Sequence, residues 1–434
     1  MNLRIIPTST SGVATVHVSF NVGMQNCKQE ALAKCHLAHV VEHMVAQLAS
    51  PKFSNPQENN RLLAVAGVNS NAFTDSHRTV YTATGPEAGI QLYLKMLART
   101  LHSRTVDNGI TSELKSVKRE LENALNEKDR QTHVMFRHKL YGEDKKLLEK
   151  SITYVKALIK DEQKAVKDIK AFIDKHYTAQ NLSVTIAINK ISYKIERNLQ
   201  RIYQSLNNDG SAYRPPLENL KNINWKPLNN KCKVVIEEGM DPSTCTLFLA
   251  WELRNVNVTD HHALQALGAI RIALTGGLHA RLTHKLRTEK QVVYSIASDL
   301  TLADKNRNSS CLLITTQCSP AHVKLIVNEI HKELKNIKDK KISEDELTQF
   351  KNQKVMYLNE HFADQSSANL VLMHSSNVAW SRKTLTLSQR LGLISSLTTK
   401  DVARAADMHL GDKMTIVIGC HQSSAKTIKS EMLC

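Results

Sequence analysis

The segment HLAHVVEHMV at residues 36–45 places three histidines and one glutamate among apolar residues. If this segment is a helix, His39 and His43 project from one face, one turn apart, and Glu42 borders that face. Two neutral imidazoles at this spacing can bind one Zn²⁺, and the adjacent glutamate is placed to take a proton from water at the metal. The order HxxEH is the inverse of the HExxH zinc motif. Two ligands alone do not define a zinc site, so histidines satisfied by neighbouring side chains are the alternative for this segment.

The elements that must position these residues belong to an internal repeat of strand, turn and amphipathic helix. Residues 79–101 and residues 311–334 share this pattern, and further along Glu113 matches Glu346. The offset between the copies stays at 233 to 234 residues across three separate segments. A constant offset predicts two homologous halves.

The repeat divides the chain into domains. We predict a first domain at residues 1–204, a linker at 205–231 and a second domain at 232–434. The linker is rich in Asn, Pro and Lys, which is typical of an irregular connection. Alternating patterns such as TVHVSFNVG and KMTIVIG, combined with longer helical patterns, predict an α+β fold with helices packed on a mostly antiparallel sheet in each domain.

The charge of the chain is strongly basic. The formal net charge is +17, and the sequence pI is about 9.4. A basic chain can bind nucleic acid. However, the chain has no recognised nucleic-acid motif and only 5% aromatic residues, so we expect a solvated basic surface and no nucleic-acid partner. No run of about 18 apolar residues occurs, so we expect no membrane partner.

The N-terminal residues and the cysteines bear on the location of the protein. The first twenty residues lack the charged region and apolar block of a secretory signal. None of the eight cysteines forms a CxxC pair, and free thiols in a reducing compartment are the favoured interpretation. We therefore expect a cytoplasmic protein.

A catalytic zinc usually has three protein ligands, so the motif needs a third. HxxEH followed by 76 residues and then Glu120 resembles the pattern of the pitrilysin and insulin-degrading-enzyme family of inverted-motif zinc peptidases. The resemblance implies that His39, His43 and Glu120 bind one Zn²⁺ and that Glu42 is the general base. It also implies a supporting role for Glu113, which lies two turns before Glu120 on a predicted helix. A charged surface stripe is the alternative for that helix.

Two further segments resemble the same family. The segment VNSNAFTDSHRTVYTA is similar to the edge strand of the family, which binds peptides by strand addition. This implies that Asn71, Ala72 and Phe73 contact the substrate, whereas a turn with a buried phenylalanine is the alternative. The segment GGLHARLTHKLRTEKQVVYSIAS resembles the family segment in which Arg287 would hold the substrate backbone or carbonyl and Tyr294 would donate to the developing oxyanion.

Some positions depart from the family pattern. Gln291 stands where the family usually has glycine between the arginine and the tyrosine, which leaves the local loop geometry open but not the implied roles of the two residues. His36 precedes the zinc motif, and we interpret it as a residue at the start of the helix. In the second half the position of Glu120 corresponds to Gln353, so we predict that the second domain binds no metal.

The resemblance implies two homologous layered domains that form half of a clamshell chamber. The implied function is that of a zinc-dependent endopeptidase, with one Zn²⁺ per chain, which hydrolyses peptides or unfolded polypeptides. A dedicated protease for a precursor or leader peptide and a non-catalytic scaffold are the alternatives. Since the implied site residues all lie on one chain, we expect a homodimer, with a heterodimer as the alternative. If the basic charge lines the chamber, acidic peptides would be preferred.

Overall fold

The computed structural model describes most of the chain. The described residues are 2–8, 12–24, 34–104, 109–127, 130–141, 144–206, 231–237, 239–257, 259–302, 310–363, 366–379 and 385–432. The chain forms two compact units. The first unit comprises residues 1–125, 146–215 and 359–385, and the second comprises residues 126–145, 216–358 and 386–434.

Strands and helices are interspersed along the chain. The strands are β1 (Asn2–Pro7), β2 (Val13–Phe20), β3 (Asn69–Thr74), β4 (Thr79–Pro86), β5 (Leu182–Ile188), β6 (Lys231–Ile236), β7 (Cys245–Leu253), β8 (Val293–Thr301), β9 (Ser310–Cys318) and β10 (Leu410–Cys420). The helices of the first half are α1 (Leu37–Ala46), α2 (Pro56–Val65), α3 (Glu87–Ser103), α4 (Ile110–Leu125), α5 (Arg130–Tyr141), α6 (Leu147–Lys160), α7 (Glu162–His176) and α8 (Tyr193–Gln204). Those of the second half are α9 (His261–Thr275), α10 (Arg281–Thr283), α11 (Val323–Lys340), α12 (Glu344–Ala363), α13 (Ser367–Ala379), α14 (Leu387–Ser395), α15 (Thr399–His409) and α16 (Gln422–Met432).

The first unit is built on a five-stranded sheet in the order β1-β5-β2-β4-β3. The β1–β5 pair is parallel, and the other three pairs are antiparallel. On one face, Val16, Val18 and Phe20 of β2 belong to the main hydrophobic core. On the other face, Thr15 Oγ1 and Ser367 Oγ of α13 form a hydrogen bond of 2.8 Å. Because both faces are covered, β2 and β5 are buried along almost their whole length.

The second unit has the same architecture. Its sheet has the order β6-β10-β7-β9-β8, in which β6–β10 is parallel and the other pairs are antiparallel. Leu247, Leu249 and Trp251 of β7 face one hydrophobic core. Phe248 and Ala250 of the same strand face a second, smaller core. The alternation follows from the two-residue period of a strand whose two faces are both covered.

Each unit contains a helix from the other half of the chain. The helix α5 belongs to the second unit, where Phe136 packs against Phe248 with a ring-centroid distance of 5.4 Å. Near the start of α5, Thr132 donates hydrogen bonds from its backbone N–H and its hydroxyl to the buried Glu237 carboxylate. The helix α13 belongs to the first unit. A division of the chain at the linker places α5 with the first domain and α13 with the second. The sequence does not show that the two helices are exchanged, because an amphipathic pattern does not specify the sheet against which a helix packs.

The matching strand orders confirm the predicted α+β architecture of two homologous units with mostly antiparallel sheets. The predicted linker at 205–231 falls mainly on residues 207–230, which lie outside the described part of the chain, so its boundaries stay a prediction. Within the described residues, no helix is both long enough and apolar enough to span a membrane.

The cysteines of the described residues are largely as expected. Five of them are buried and free: Cys35, Cys245, Cys311, Cys318 and Cys420. Cys232 takes part in a disulfide bond, so the expectation of a free thiol is wrong at that position.

The buried His17 of β2 predicts a pH-dependent stability. Burial, followed by the charge of Arg78, lowers the pKa of His17 from 6.5 to about 4. Between these pH values the unfolded chain binds a proton that the folded protein does not, so the free energy of unfolding falls as pH falls from about 6.5 to about 4. The loss from this residue is about 3 kcal/mol.

Urea unfolding of the wild type and of His17→Gln across this pH range isolates the contribution of this residue, because the pKa values of His36 and His39 are lowered as well. The difference between the two stabilities should change by about 3 kcal/mol between pH 7 and pH 4. Two parallel stability curves would contradict the prediction.

Candidate metal centre

The helix α1 places two imidazoles side by side. Leu37, Val41 and Met44 are buried in the core, and this fixes the rotation of the helix about its axis. As a result, His39 and His43, four residues apart, project from another face toward a pocket. Their Nε2 atoms are 3.2 Å apart.

The helix α4 brings a carboxylate to the same point. Its buried stripe, which includes Leu114, Val117 and Leu121, packs into the core, and Glu120 lies beside this stripe on the exposed side. Glu120 Oε2 is 3.2 Å from His39 Nε2, and Glu120 Oε1 is 3.6 Å from His43 Nε2. Within the described residues, the one group of three side chains that could hold a metal ion is His39, His43 and Glu120.

The spacing and chemistry of these three groups fit a zinc ion. Ligands that each lie about 2.0–2.1 Å from a tetrahedral Zn²⁺ are about 3.3–3.4 Å from one another. The observed separations of 3.2, 3.2 and 3.6 Å are close to that value. Burial, followed by the neighbouring His43, lowers the pKa of His39 to about 4. His39 is therefore neutral at pH 7, which is the form that binds a metal.

Glu113 supports this group through His43. The Nδ1 atom of His43 lies 3.0 Å from Glu113 Oε2. A carboxylate only accepts hydrogen bonds, so Nδ1 carries the proton and the Nε2 lone pair faces His39 and Glu120. This carboxylate contact fixes the tautomer and orientation of a metal-ligating histidine.

The contact between Glu113 and His43 predicts that removing the Glu113 carboxylate weakens metal binding. Replacing Glu113 by Ala should weaken zinc binding by about 10–100-fold, because His43 loses the partner that fixes its tautomer. The matched control is Glu122→Ala on the same helix, whose carboxylate instead pairs with Lys118 at the surface. Competition with a chromophoric chelator measures both affinities. Equal zinc affinities in the two variants would contradict the supporting role of Glu113.

Glu42 is held in place by a residue that the sequence analysis did not identify. Its side chain is buried, and Glu42 Oε2 accepts a hydrogen bond of 2.8 Å from Thr74 Oγ1 at the end of β3. Burial, as the largest cause, raises the pKa of Glu42 above its usual value. A raised pKa makes a carboxylate a better proton acceptor for chemistry near neutral pH. The sequence feature that could have pointed to Thr74 is its position at the end of the SNAFT segment, which resembles the edge strand of the family.

The metal group opens onto a pocket of about 690 Å³. The edge strand β3 contributes Asn71, Ala72 and Phe73 to its lining. Three carboxylates also line it, and no lysine or arginine is among the lining residues. Among the described residues that line this pocket, the charged side chains are therefore acidic, and the preference for acidic peptides, which concerns the whole chamber, stays a prediction.

The other predicted site residues lie in the second unit. Arg287 belongs to a π-helical turn, His284–Glu289, and Tyr294 lies near the start of β8. The guanidinium carbon is 5.3 Å from the centre of the tyrosine ring, and Tyr294 is 84% exposed. Gln291 has a φ of 54°, in the left-handed region that glycine adopts most easily. This backbone conformation explains why glycine is usual there in the family pattern.

His36 does not join the metal group. It lies at the start of α1, and its Nδ1 atom is 2.9 Å from Ser151 Oγ of α6. The interpretation of His36 as a residue at the helix start agrees with this position.

The chain is similar to known peptidases in sequence and in structure. Residues 6–151 match the family described as insulinase (peptidase family M16), and residues 165–354 match the peptidase M16 inactive domain. An uncharacterized zinc protease of Rickettsia felis is 25% identical over 325 residues, which cover 73% of this chain and 71% of that protein.

Solved structures share the fold. A protease from Helicobacter pylori has a TM-score of 0.73 and 21% identity, with 96% of each chain covered. A peptidase M16 inactive domain from Pseudomonas fluorescens has a TM-score of 0.76 and 16% identity, with 97% of this chain and 96% of that chain covered.

These similarities define the class of the protein. The two family matches follow one another along the chain, and the unit that carries HxxEH is the one matched by the peptidase model. The chain belongs to the M16 family of peptidases. The resemblance to the pitrilysin and insulin-degrading-enzyme family is thereby confirmed.

Proposed function

We propose that the protein is a zinc-dependent endopeptidase that hydrolyses peptides or unfolded polypeptides. The observation that carries the proposal is the convergence of His39, His43 and Glu120 on one pocket that Glu42 also lines. The zinc protease of Rickettsia felis and the M16 family support zinc as the metal.

The side chains of the pocket divide the chemistry. Zinc, when bound, polarises a peptide carbonyl and lowers the pKa of a water molecule. Glu42 accepts the proton of the attacking water at its carboxylate and returns it to the leaving amine nitrogen. The hydrogen bond from Thr74 holds the Glu42 side chain toward the pocket. In this proposal, Arg287 and Tyr294 hold the carbonyl oxygen as its charge develops.

The edge strand supports an extended polypeptide as the substrate. β3 pairs with β4 on one side only in the described sheet, and Asn71, Ala72 and Phe73 line the pocket beside the metal group. A peptide that adds to this strand gains main-chain hydrogen bonds whatever its sequence. The metal and Glu42 would then lie beside the backbone of the bound peptide.

The function is tested by incubating the zinc-loaded protein with a mixed library of unstructured peptides and mapping the products by mass spectrometry. A chelator-treated sample is the control. Scattered cuts identify a general peptidase, and one cut in one peptide identifies a dedicated processing protease. An absence of cuts by protein with one zinc per chain would overturn the proposal and favour a non-catalytic scaffold.

We propose a homodimer as the working assembly, because the zinc motif, Glu120, Arg287 and Tyr294 lie on one chain. Analytical ultracentrifugation checks the mass. Mixing Glu42→Gln protein with Tyr294→Phe protein then tests how sites are completed. Recovered activity shows that the second unit of one chain completes the zinc site of its partner, and no recovery shows that each chain completes its own. A fully active monomer would contradict the homodimer.

A further inference from the structure

The segment at residues 281–294 carries Arg287 and Tyr294, and its backbone needs an anchor. Both side chains lie at the surface, and Tyr294 is 84% exposed. Exposed side chains gain little from packing, so their positions depend on the backbone that carries them. That backbone includes Gln291, whose φ of 54° is unfavourable for a residue with a side chain.

The start of the segment is fixed by an ion pair. Arg281 Nε and Nη2 donate to the two carboxylate oxygens of Glu346 at 2.5 and 2.7 Å, and Nη2 also donates to the backbone oxygen of Lys341 at 3.0 Å. Both side chains are largely buried. A bidentate pair of this kind defines the orientation of the arginine in addition to its position. Leu286 is fully buried and holds the middle of the segment.

Two glutamines of the same helix hold the residues just before this start. Gln349 Nε2 and Gln353 Nε2 both donate to the backbone oxygen of Gly276, at 3.3 and 2.9 Å. Glu346, Gln349 and Gln353 are spaced by three and four residues, so they lie on one face of α12. We call these three residues the α12 stripe.

Two residues of the α12 stripe correspond in the repeat to residues of the metal-site helix α4 in the first unit. Under the repeat offset, Glu346 matches Glu113 and Gln353 matches Glu120. In the first unit the two carboxylates contact His43, whereas in the second unit their counterparts contact Arg281 and Gly276. A carboxylate replaced by an amide cannot serve as an ionic zinc ligand, but it can donate to a carbonyl oxygen.

We propose that the α12 stripe, acting through Arg281 and Gly276, is the positioning device for the Arg287/Tyr294 pair. The proposal rests on the proposed peptidase function, in which that pair holds the carbonyl oxygen. The stripe residues need not touch substrate. They fix the start of a segment whose exposed side chains must meet the reacting group within about 1 Å, and a misplacement of that size can cost about 10²-fold in rate.

The kinetic test uses Glu346→Gln, alone and combined with the double change Arg287→Ala/Tyr294→Phe. Alone, Glu346→Gln should lower kcat by about 10–100-fold with KM changed less than about threefold, because the loss falls on the transition state. In the Arg287→Ala/Tyr294→Phe background the same change should lower kcat by less than about threefold, because both groups that it positions are already gone. Gln353→Met, which keeps the shape but removes the donor, should behave in the same way.

The matched control is Glu333→Gln, whose carboxylate lies 3.9 Å from Arg281 Nη1, too far for a hydrogen bond. It should leave kcat within about threefold of the wild type. Full additivity of Glu346→Gln with Arg287→Ala/Tyr294→Phe would overturn the proposal, because it would show a general structural effect.

A second readout does not depend on peptidase activity. Trypsin can cut the segment after Lys285, Arg287 and Lys290, and an anchored segment resists cleavage. Cleavage there should be at least about 10-fold faster in Glu346→Gln than in Glu333→Gln. Unchanged trypsin cleavage would overturn the proposal. Faster cleavage in a protein whose wild type cuts no peptide would instead support the anchoring and refute the proposed peptidase function.

Discussion

Glu42→Gln should lower kcat for peptide hydrolysis by about 10²–10⁴-fold, which is the contribution of a general base. The amide has nearly the same shape as the carboxylate, and its oxygen can still accept the hydrogen bond from Thr74 that holds Glu42 in the wild type. It cannot take a proton from water. Glu42 is not one of the three residues that form the metal group, so the zinc content should stay at one per chain.

The measurement pairs kcat on a fluorogenic peptide with the zinc content from atomic absorption. Glu58→Gln is the matched control, because Glu58 is an exposed carboxylate of α2 that pairs with Arg61. It should retain the activity of the wild type. A zinc-loaded Glu42→Gln protein that hydrolyses peptides at the wild-type rate would exclude Glu42 as the base.

Local spacing predicted the part of the site that lies on one helix. His39 and His43 are one turn apart in any helix, so their convergence follows from the pattern once the helix is assigned. Glu120 is 77 residues from His43, and no periodicity connects the two. The family motif supplied that link, and the structure brings the three side chains within 4.8 Å of one another.

Contacts between distant elements could not be predicted in this way. Thr74 is 32 residues from Glu42, and their hydrogen bond depends on how the edge strand lies beside α1. The helix α5 shows the same limit at a larger scale. Its apolar residues, such as Phe136 and Leu140, predict a buried face, but only the packing shows that this face lies on the sheet of the second unit.

The departures from the family pattern were informative in a different way. The absence of the usual glycine at Gln291 left the local loop geometry open, and the structure has a left-handed backbone there. The backbone thus retains the conformation that glycine favours, although a side chain in that region costs about 1 kcal/mol. The backbone N–H of Val292 donates to the backbone oxygen of Leu286 at 2.9 Å, which closes the turn that contains Gln291.

The last prediction removes a metal ligand. His43→Gln should abolish stoichiometric zinc binding at micromolar zinc and lower peptide hydrolysis below detection. His43 Nε2 faces both other groups of the site, at 3.2 Å from His39 and 3.6 Å from Glu120. An amide is a poor substitute, because zinc prefers imidazole nitrogen, thiolate and carboxylate ligands.

Thermal unfolding distinguishes the loss of zinc binding in His43→Gln from the loss of the general base in Glu42→Gln. A metal that binds only the folded protein stabilises it by RT ln(1 + [L]/Kd), or about 2.7 kcal/mol at a free zinc concentration 100 times Kd. The Tm of the wild type and of Glu42→Gln should therefore rise together when zinc is added, and magnesium at the same concentration should have no such effect. The Tm of His43→Gln should stay unchanged in zinc. If zinc stabilised His43→Gln as strongly as it stabilises Glu42→Gln, the ion would bind elsewhere, and the assignment of the metal centre would be wrong.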